Sequence, residues 1–203
     1  MLVDNLNARR LIAPIISALY GNSLQQRNSF LIDKLDQQLF PLSMNLIDDP
    51  HNEGVPGARF FDGEGVATKK RAIIEDGYLR TYFIDTYSAN KMKVPPTISG
   101  PSTLFLNKGG KDLDGLVKSL SAGILVTGFN GGNCNSSTGD FSYGIEGFWV
   151  ENGIAVHPVS EMNVTGNMLA LWQSLVETGN DPLDSSSWKI PSLLFEKVDF
   201  SGL

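Results

Sequence analysis

Residues 7–20 place apolar side chains at Leu11, Ile12, Ile15, Ile16 and Leu19, the three-and-four spacing of a helix with one buried face. Pro14 falls inside that pattern, so it either kinks the helix or sits in the first turn of one that begins near Ala13. Gly21-Asn22 supplies a stop. Residues 29–40 keep no period and read as loop with a short strand. Residues 42–47 are strand-like up to the breaker run at 48–54. Residues 69–87 read as a hairpin, with Ala72-Ile73-Ile74 and Tyr78 to Ile84 flanking the Asp76-Gly77 turn.

Further along, Leu104-Phe105-Leu106 predicts a strand. Leu113, Leu116, Val117 and Leu120 predict a helix over 111–120, with Gly115 as a local cost. Gly123 to Thr127 has strand length and composition. It enters a Gly-, Asn- and Ser-rich elbow at 128–139 that supplies positive φ and side-chain turns. A second strand, 141–150, leaves the elbow and ends at Glu151-Asn152-Gly153, another hairpin signal. Residues 165–177 read as the last helix, on the stripe Leu169, Trp172 and Val176, and 192–200 as a terminal strand. The fold class is α+β, mostly antiparallel sheet with a few helices. The likeness of the two hairpins suggests two packed β-rich halves within one domain over 1–203.

The totals narrow the function classes. A chain of 203 residues buries roughly 70% of its unfolded surface, enough for one core. Apolar residues make up 41% and charged residues 19%, which suits a globular chain rather than a disordered one. The 22 acidic and 16 basic residues leave a net charge of -6, which argues against nucleic acid as the main partner. The run Lys69-Lys70-Arg71 reads as a solvated strand start. Cys134 is the only cysteine, so no internal disulfide forms and a reducing compartment fits. No basic leader or bilayer-length apolar run is visible, and the expectation is a cytoplasmic protein away from membranes.

The spacing of candidate residues matches none of the familiar catalytic patterns. His51 and His157 are the only histidines, and neither has a second one three to five positions away, so no zinc helix is written here. Asp85-Thr86 starts like an aspartic-peptidase loop, but Tyr87 stands where glycine is needed and no second copy exists. No Gly-x-Ser-x-Gly elbow is present, and the glycine elbow holds no lysine for a phosphate loop. Asp62 and Glu64, among Gly63 and Gly65, read chiefly as an acidic turn.

One resemblance spans nearly the whole chain in order. It rests on Leu46-Ile47-Asp48-Asp49-Pro50, Phe61-Asp62-Gly63-Glu64-Gly65-Val66-Ala67-Thr68, Ile84-Asp85-Thr86-Tyr87 and Gly131-Gly132. It continues through Thr138-Gly139-Asp140-Phe141-Ser142, Gly147 to Gly153, Pro158-Val159, Gly166-Asn167 and Val176 to Asp181. The chain resembles the C-terminal half of the TldD/PmbA family, peptidase-related proteins once labelled modulators of DNA gyrase, and most of all its PmbA (TldE) branch. The family's N-terminal half is absent.

The resemblance implies a barrel-like, β-rich fold. In the TldD branch it also implies a His-Glu-x-x-x-His zinc helix and a later cysteine ligand. Alignment by eye puts that helix on Ile12 to Ser17, where Ile12, Ala13 and Ser17 replace the ligands, and no cysteine follows Asp181. The implied role is a non-catalytic subunit with no metal or cofactor of its own. Zinc would sit in a TldD-like partner, and the pair would process extended peptides. A homodimer is the alternative assembly. Gly131, Gly132, Asp140, Phe141 and Ser142 are the residues expected to serve substrate binding or assembly, and no residue is expected to be catalytic. Two other readings stay open: a self-associating peptide-binding module, and a hydrolase using Asp62, Glu64 or Asp85.

Overall fold

A computed structural model describes residues 1–202. In chain order the elements are β1 (Leu2–Val3), α1 (Arg9–Ala18), α2 (Gly21–Gln25), β2 (Leu46–Asp48), β3 (Arg71–Glu75), β4 (Tyr78–Leu79), α3 (Thr86–Met92), β5 (Leu104–Leu106) and α4 (Leu113–Lys118). There follow β6 (Ala122–Cys134), β7 (Asp140–Glu151), β8 (Ile154–Asn167), α5 (Met168–Gln173), β9 (Leu175–Thr178), β10 (Trp188–Lys189), β11 (Leu193–Phe195) and β12 (Asp199–Gly202).

The strands form two sheets. One has seven strands in the order β12-β8-β7-β6-β1-β11-β9, the other five in the order β10-β5-β2-β3-β4. The α+β class holds, but the barrel does not. A barrel closes only when its edges pair, and in each sheet the two end strands do not pair with each other. Nor is the pairing purely antiparallel. β1 runs parallel to β6, and β10 runs parallel to β5. The two-residue strands responsible carry no period a sequence reading can detect.

One core takes α1 together with inward side chains of both sheets. Leu11, Ile12, Ile15 and Ile16 pack with Leu46, Ile74 and Leu106 from the smaller sheet and with Val3, Val126 and Phe195 from the larger. The helix begins at Arg9, so Pro14 lies in its interior and not in its first turn. Trp172 fixes α5 to α1. Its indole donates to the Leu11 carbonyl at 3.2 Å while its ring meets Phe195 edge-on at 5.6 Å. Strand alternation sends Leu2, Leu125 and Leu194 to the other face of the larger sheet, where Leu116 and Leu120 at the α4 end cover them.

Several elements depart from the sequence reading. The second arm of the first hairpin stops at Leu79 instead of Ile84. Asp85 caps α3, accepting from the Ser88 N–H at 2.6 Å. The predicted helix over 165–177 shrinks to α5, between the end of β8 and the start of β9. The single terminal strand becomes two: β11 beside β1 and β12 at the far edge on β8. β8 itself is 14 residues long and largely exposed. Pro158 is tolerated there because β12 covers only Met162 to Thr165, leaving the outer edge around Pro158 unpaired. Among the described residues, no helix is long and apolar enough to cross a membrane.

Buried carboxylates hold the loops between strands. Asp48 accepts from the Ser102 and Thr103 N–H groups at 2.8 and 3.0 Å. Asp62, 4% exposed, accepts from the N–H groups of Glu64, Val66 and Ser99 at 2.9 to 3.0 Å. Burial pushes the Asp62 pKa up, but the donors at Ser99, Val66 and Glu64 outweigh it and bring it down to about 2. Glu64 in turn accepts from the N–H and hydroxyl of Thr86, both at 2.9 Å. The three carboxylates Asp62, Glu64 and Asp85 are thus occupied in capping backbone N–H groups.

Because the folded pKa of Asp62 lies below its ordinary value, the stability it contributes is present above about pH 4 and is lost as pH falls toward 2. Asp62→Asn should cost about 1–3 kcal/mol at pH 7, since the amide turns an N–H toward backbone donors. It should also make the decline between pH 4 and 2 shallower. Urea midpoints across that range check both effects.

Candidate functional site

The glycine elbow builds one wall of a cleft against α1. β6 does not stop at Thr127 as expected; it runs on to Cys134 through two register shifts against β7. The second shift, between Asn130 and Asn133, leaves Gly131 and Gly132 unpaired, with φ of 70° and 78°. A bulge of this kind turns carbonyls out of the ladder. Both carbonyls accept from Arg10 Nη2 on α1, at 3.3 and 3.1 Å. The Arg10 guanidinium also lies over the Tyr143 ring, 4.7 Å from its centroid. Tyr143 stacks on Phe141 at 5.3 Å and meets Phe129 edge-on at 5.7 Å.

Between α1 and this bulged strand lies a cavity of about 320 Å³, into which Ala13, Pro14 and Ser17 face from the helix and Gly132, Cys134 and Tyr143 from the sheet. Phe30 closes one side. Its N–H donates to the Ser136 carbonyl at 2.8 Å, which docks the turn onto the chain after α2.

The turn itself is Asn135 to Gly139. Asn135 Oδ1 accepts from the Ser137 N–H at 2.9 Å. Asp140 accepts from Asn167 Nδ2 at 3.0 Å and from the Thr138 hydroxyl at 2.7 Å, and these bonds hold its carboxyl below the usual range. Burial, and then the Asp140 charge, push the Cys134 thiol up. Burial likewise raises the Tyr143 hydroxyl, against a lowering by Arg10.

The five expected site residues therefore separate. Gly132 lines the cleft and Gly131 stands at its rim. Phe141 turns into the core beneath Tyr143. Asp140 and Ser142 are exposed, on the strand positions that alternate with Phe141 and Tyr143. They do not converge on one point. Arg10, Tyr143 and Phe30 were missed. Alternation along β7 offered a signal for Tyr143, two positions beyond Phe141. Nothing in the spacing marked Arg10.

The positions aligned with a zinc helix lie on α1. Ile12 is wholly buried in the core, and Ala13 and Ser17 face the cleft. His51 contacts the Thr68 hydroxyl at 3.1 Å, and His157 is an exposed residue on β8. Among the described residues no group of three or more His, Cys, Asp or Glu is placed to hold a metal ion. sec-Butyl, methyl and hydroxymethyl groups do not fit a catalytic zinc, which needs imidazole, thiolate or carboxylate donors.

Known proteins bear on the same region. The family model described as the PmbA/TldA metallopeptidase C-terminal domain matches residues 1–202. The chain belongs to the PmbA/TldD family. It is 32% identical to the metalloprotease PmbA of Escherichia coli O157:H7 over 197 residues, 96% of this chain and 44% of the relative. A crystal structure from Bacteroides thetaiotaomicron, of a protein named for modulation of DNA gyrase, is 62% identical with a TM-score of 0.99, covering 100% of this chain and 46% of that one. A Thermotoga maritima protein named likewise is 31% identical with a TM-score of 0.89, covering 98% of this chain and 49% of that one. The chain thus spans under half the length of these relatives.

The two glycines of the PmbA/TldD elbow should respond differently to a methyl group. At Gly131 nothing lies within 4 Å of the added Cβ, so Gly131→Ala should cost only the left-handed strain, about 1–2 kcal/mol. At Gly132 the Cβ would overlap the Ser142 carbonyl oxygen and crowd the Tyr143 Cα, so Gly132→Ala should cost about 3 kcal/mol or more. Denaturant midpoints compare them. Cys134 should alkylate more slowly at pH 8 than a free cysteine, and the pH dependence of the iodoacetamide rate reads this out.

Proposed function

We propose that this chain is the C-terminal portion of a non-catalytic, PmbA-type subunit that works beside a TldD-like zinc subunit on extended peptides. One observation carries the reading. A helix with a cavity beside it lies where the family resemblance puts the zinc helix, and the residues at the resembling positions are Ile12, Ala13 and Ser17. Retention of the scaffold without its donors suits a subunit that binds and positions while the partner supplies chemistry.

The sheet offers a way to hold such a substrate. An extended peptide pairs with any free strand edge through main-chain hydrogen bonds, largely without regard to its side chains. β8 between Ile154 and Glu161 has such an edge, flanked by the exposed apolar residues Ile154 and Val156. Pro158 removes one donor from that edge, so pairing there would run in two short segments. Asp62, Glu64 and Asp85 are engaged with backbone N–H groups, which weighs against a hydrolase built on them.

Metal analysis and peptide cleavage test the reading together. The purified chain should hold far less than one zinc per chain and should not cleave unstructured peptides. A family member carrying the zinc helix should co-purify with it, and cleavage by the pair should stop on chelation. Stoichiometric zinc in this chain alone, or chelator-insensitive cleavage by it, would overturn the reading. A stable homodimer indifferent to the zinc subunit would favour a self-associating module.

A further inference from the structure

The cleft between α1 and the glycine bulge presents hydrogen-bond donors with nothing to bind. Arg10 uses only Nη2, for the Gly131 and Gly132 carbonyls. Among the described residues its Nε and Nη1 groups make no hydrogen bond, and no carboxylate lies within ion-pair distance of it. Tyr143 is 2% exposed, yet its hydroxyl has no hydrogen-bond partner there. No fully buried side-chain polar atom among the described residues lacks a partner, so that hydroxyl keeps some accessible surface, and the residue lines the cavity. Ser17 places a further hydroxyl on the same cavity from the helix side. The opposing wall is apolar, made by Ala13, Pro14, Ala18 and Phe30.

We propose that this cleft binds a carboxylate, with Arg10 and the Tyr143 hydroxyl holding its oxygens and the apolar wall receiving the group beside it. A guanidinium with no carboxylate partner next to a partly enclosed hydroxyl donor favours an anion, because charge-assisted hydrogen bonds are roughly twice as strong as neutral ones. The planar, delocalised guanidinium suits the planar carboxylate. A raised pKa keeps the Tyr143 hydroxyl protonated, and therefore a donor, at neutral pH. A cavity of about 320 Å³ falls at the small end of ligand pockets and suits one terminal residue rather than a long chain. The nearest acid that the turn contributes, Asp140, has its oxygens taken up by Thr138 and Asn167. The Gly131-Gly132 bulge is then a positioning device, since its two carbonyls aim Arg10 over Tyr143.

Extended peptides supply carboxylates in two ways, at the C-terminus and on Asp or Glu side chains. The inference builds on the peptide-handling reading for the bearer of the carboxylate but stands apart from its catalytic half. A chain that binds carboxylate peptides yet holds stoichiometric zinc keeps this inference and loses that reading. A chain that pairs with a zinc subunit yet binds no carboxylate does the reverse.

Three peptides titrated into the purified chain, followed by amide NMR shifts, test it: acetyl-Ala-Ala-Leu with a free carboxylate, its C-terminal amide, and acetyl-Ala-Glu-Leu-amide. Saturable binding of the first, with the uncharged amide at least about tenfold weaker, is expected. Binding of the Glu peptide in addition, or instead, still supports a carboxylate site and assigns the source. Arg10→Gln should weaken binding about tenfold or more, and Tyr143→Phe about three- to tenfold with an unchanged denaturant midpoint. The phenylalanine variant leaves the ring stacking and the Arg10 bonds to the bulge in place, so it separates ligand contact from folding. Equal binding of the uncharged amide, no binding by any peptide at 10 mM (about 3 kcal/mol of affinity or less), or full affinity in Tyr143→Phe would overturn the proposal.

Discussion

Burial of α1 is the constraint from which the rest of the structure follows. Leu11, Ile12, Ile15, Ile16 and Leu19 are each at most 1% exposed, and each contributes about 1.5–3 kcal/mol by leaving water. An interior proline costs a helix about 3 kcal/mol, through one lost hydrogen bond and a clash. Five buried side chains outweigh that cost, which is why α1 runs through Pro14 instead of starting after it. Both sheets pack on this helix, and Trp172 ties it to α5 and β11. A helix fixed so firmly on its apolar side holds Arg10, Ala13 and Ser17 in set positions on its half-exposed side. The cleft is a by-product of that core.

The glycine bulge makes the second half of the cleft, and its cost is local. Two consecutive residues at positive φ are inexpensive only as glycine. Their reward is a pair of carbonyls outside the ladder, and Arg10 collects both. The contact joins residues more than 120 positions apart, across the two walls of the cleft. It also keeps the guanidinium over the Tyr143 ring instead of in bulk water. Core, bulge and cation are therefore coupled: moving α1 by a fraction of a turn would break both carbonyl bonds and uncover Tyr143.

What the sequence revealed and what it hid divide along physical lines. α1 was legible because five apolar residues repeat at helical spacing over more than two turns. The β3–β4 turn was legible because Asp76-Gly77 has one common use. α3 was not, since Thr86 to Met92 buries only Ser88 and Ala89 and therefore writes no apolar stripe. β8 was not, because most of its residues are exposed and its Pro158 argues against a central strand; the argument fails where the neighbouring strand is shorter. β1 depends on two residues held between β6 and β11, a placement set entirely by partners far away in the chain. At the site, the glycines announced themselves by type, whereas Arg10 is an ordinary surface arginine until the fold brings the bulge to it.

This division explains why the elbow's composition alone suggests more than one kind of chemistry. A glycine-rich turn between two strands is compatible with a phosphate cradle, a nucleophile elbow or a scaffold, and glycine alone does not choose. The choice lies in what faces the turn. Here that is a helix whose cleft side offers methyl, pyrrolidine and hydroxymethyl groups from Ala13, Pro14 and Ser17, with one guanidinium at the end. No general base faces it, and the only thiol is pushed toward its protonated form. Groups that donate hydrogen bonds but neither accept protons nor hold metal can bind and orient a substrate; they do not activate water. The physical character of the cleft is therefore that of a surface that binds and orients what enters it.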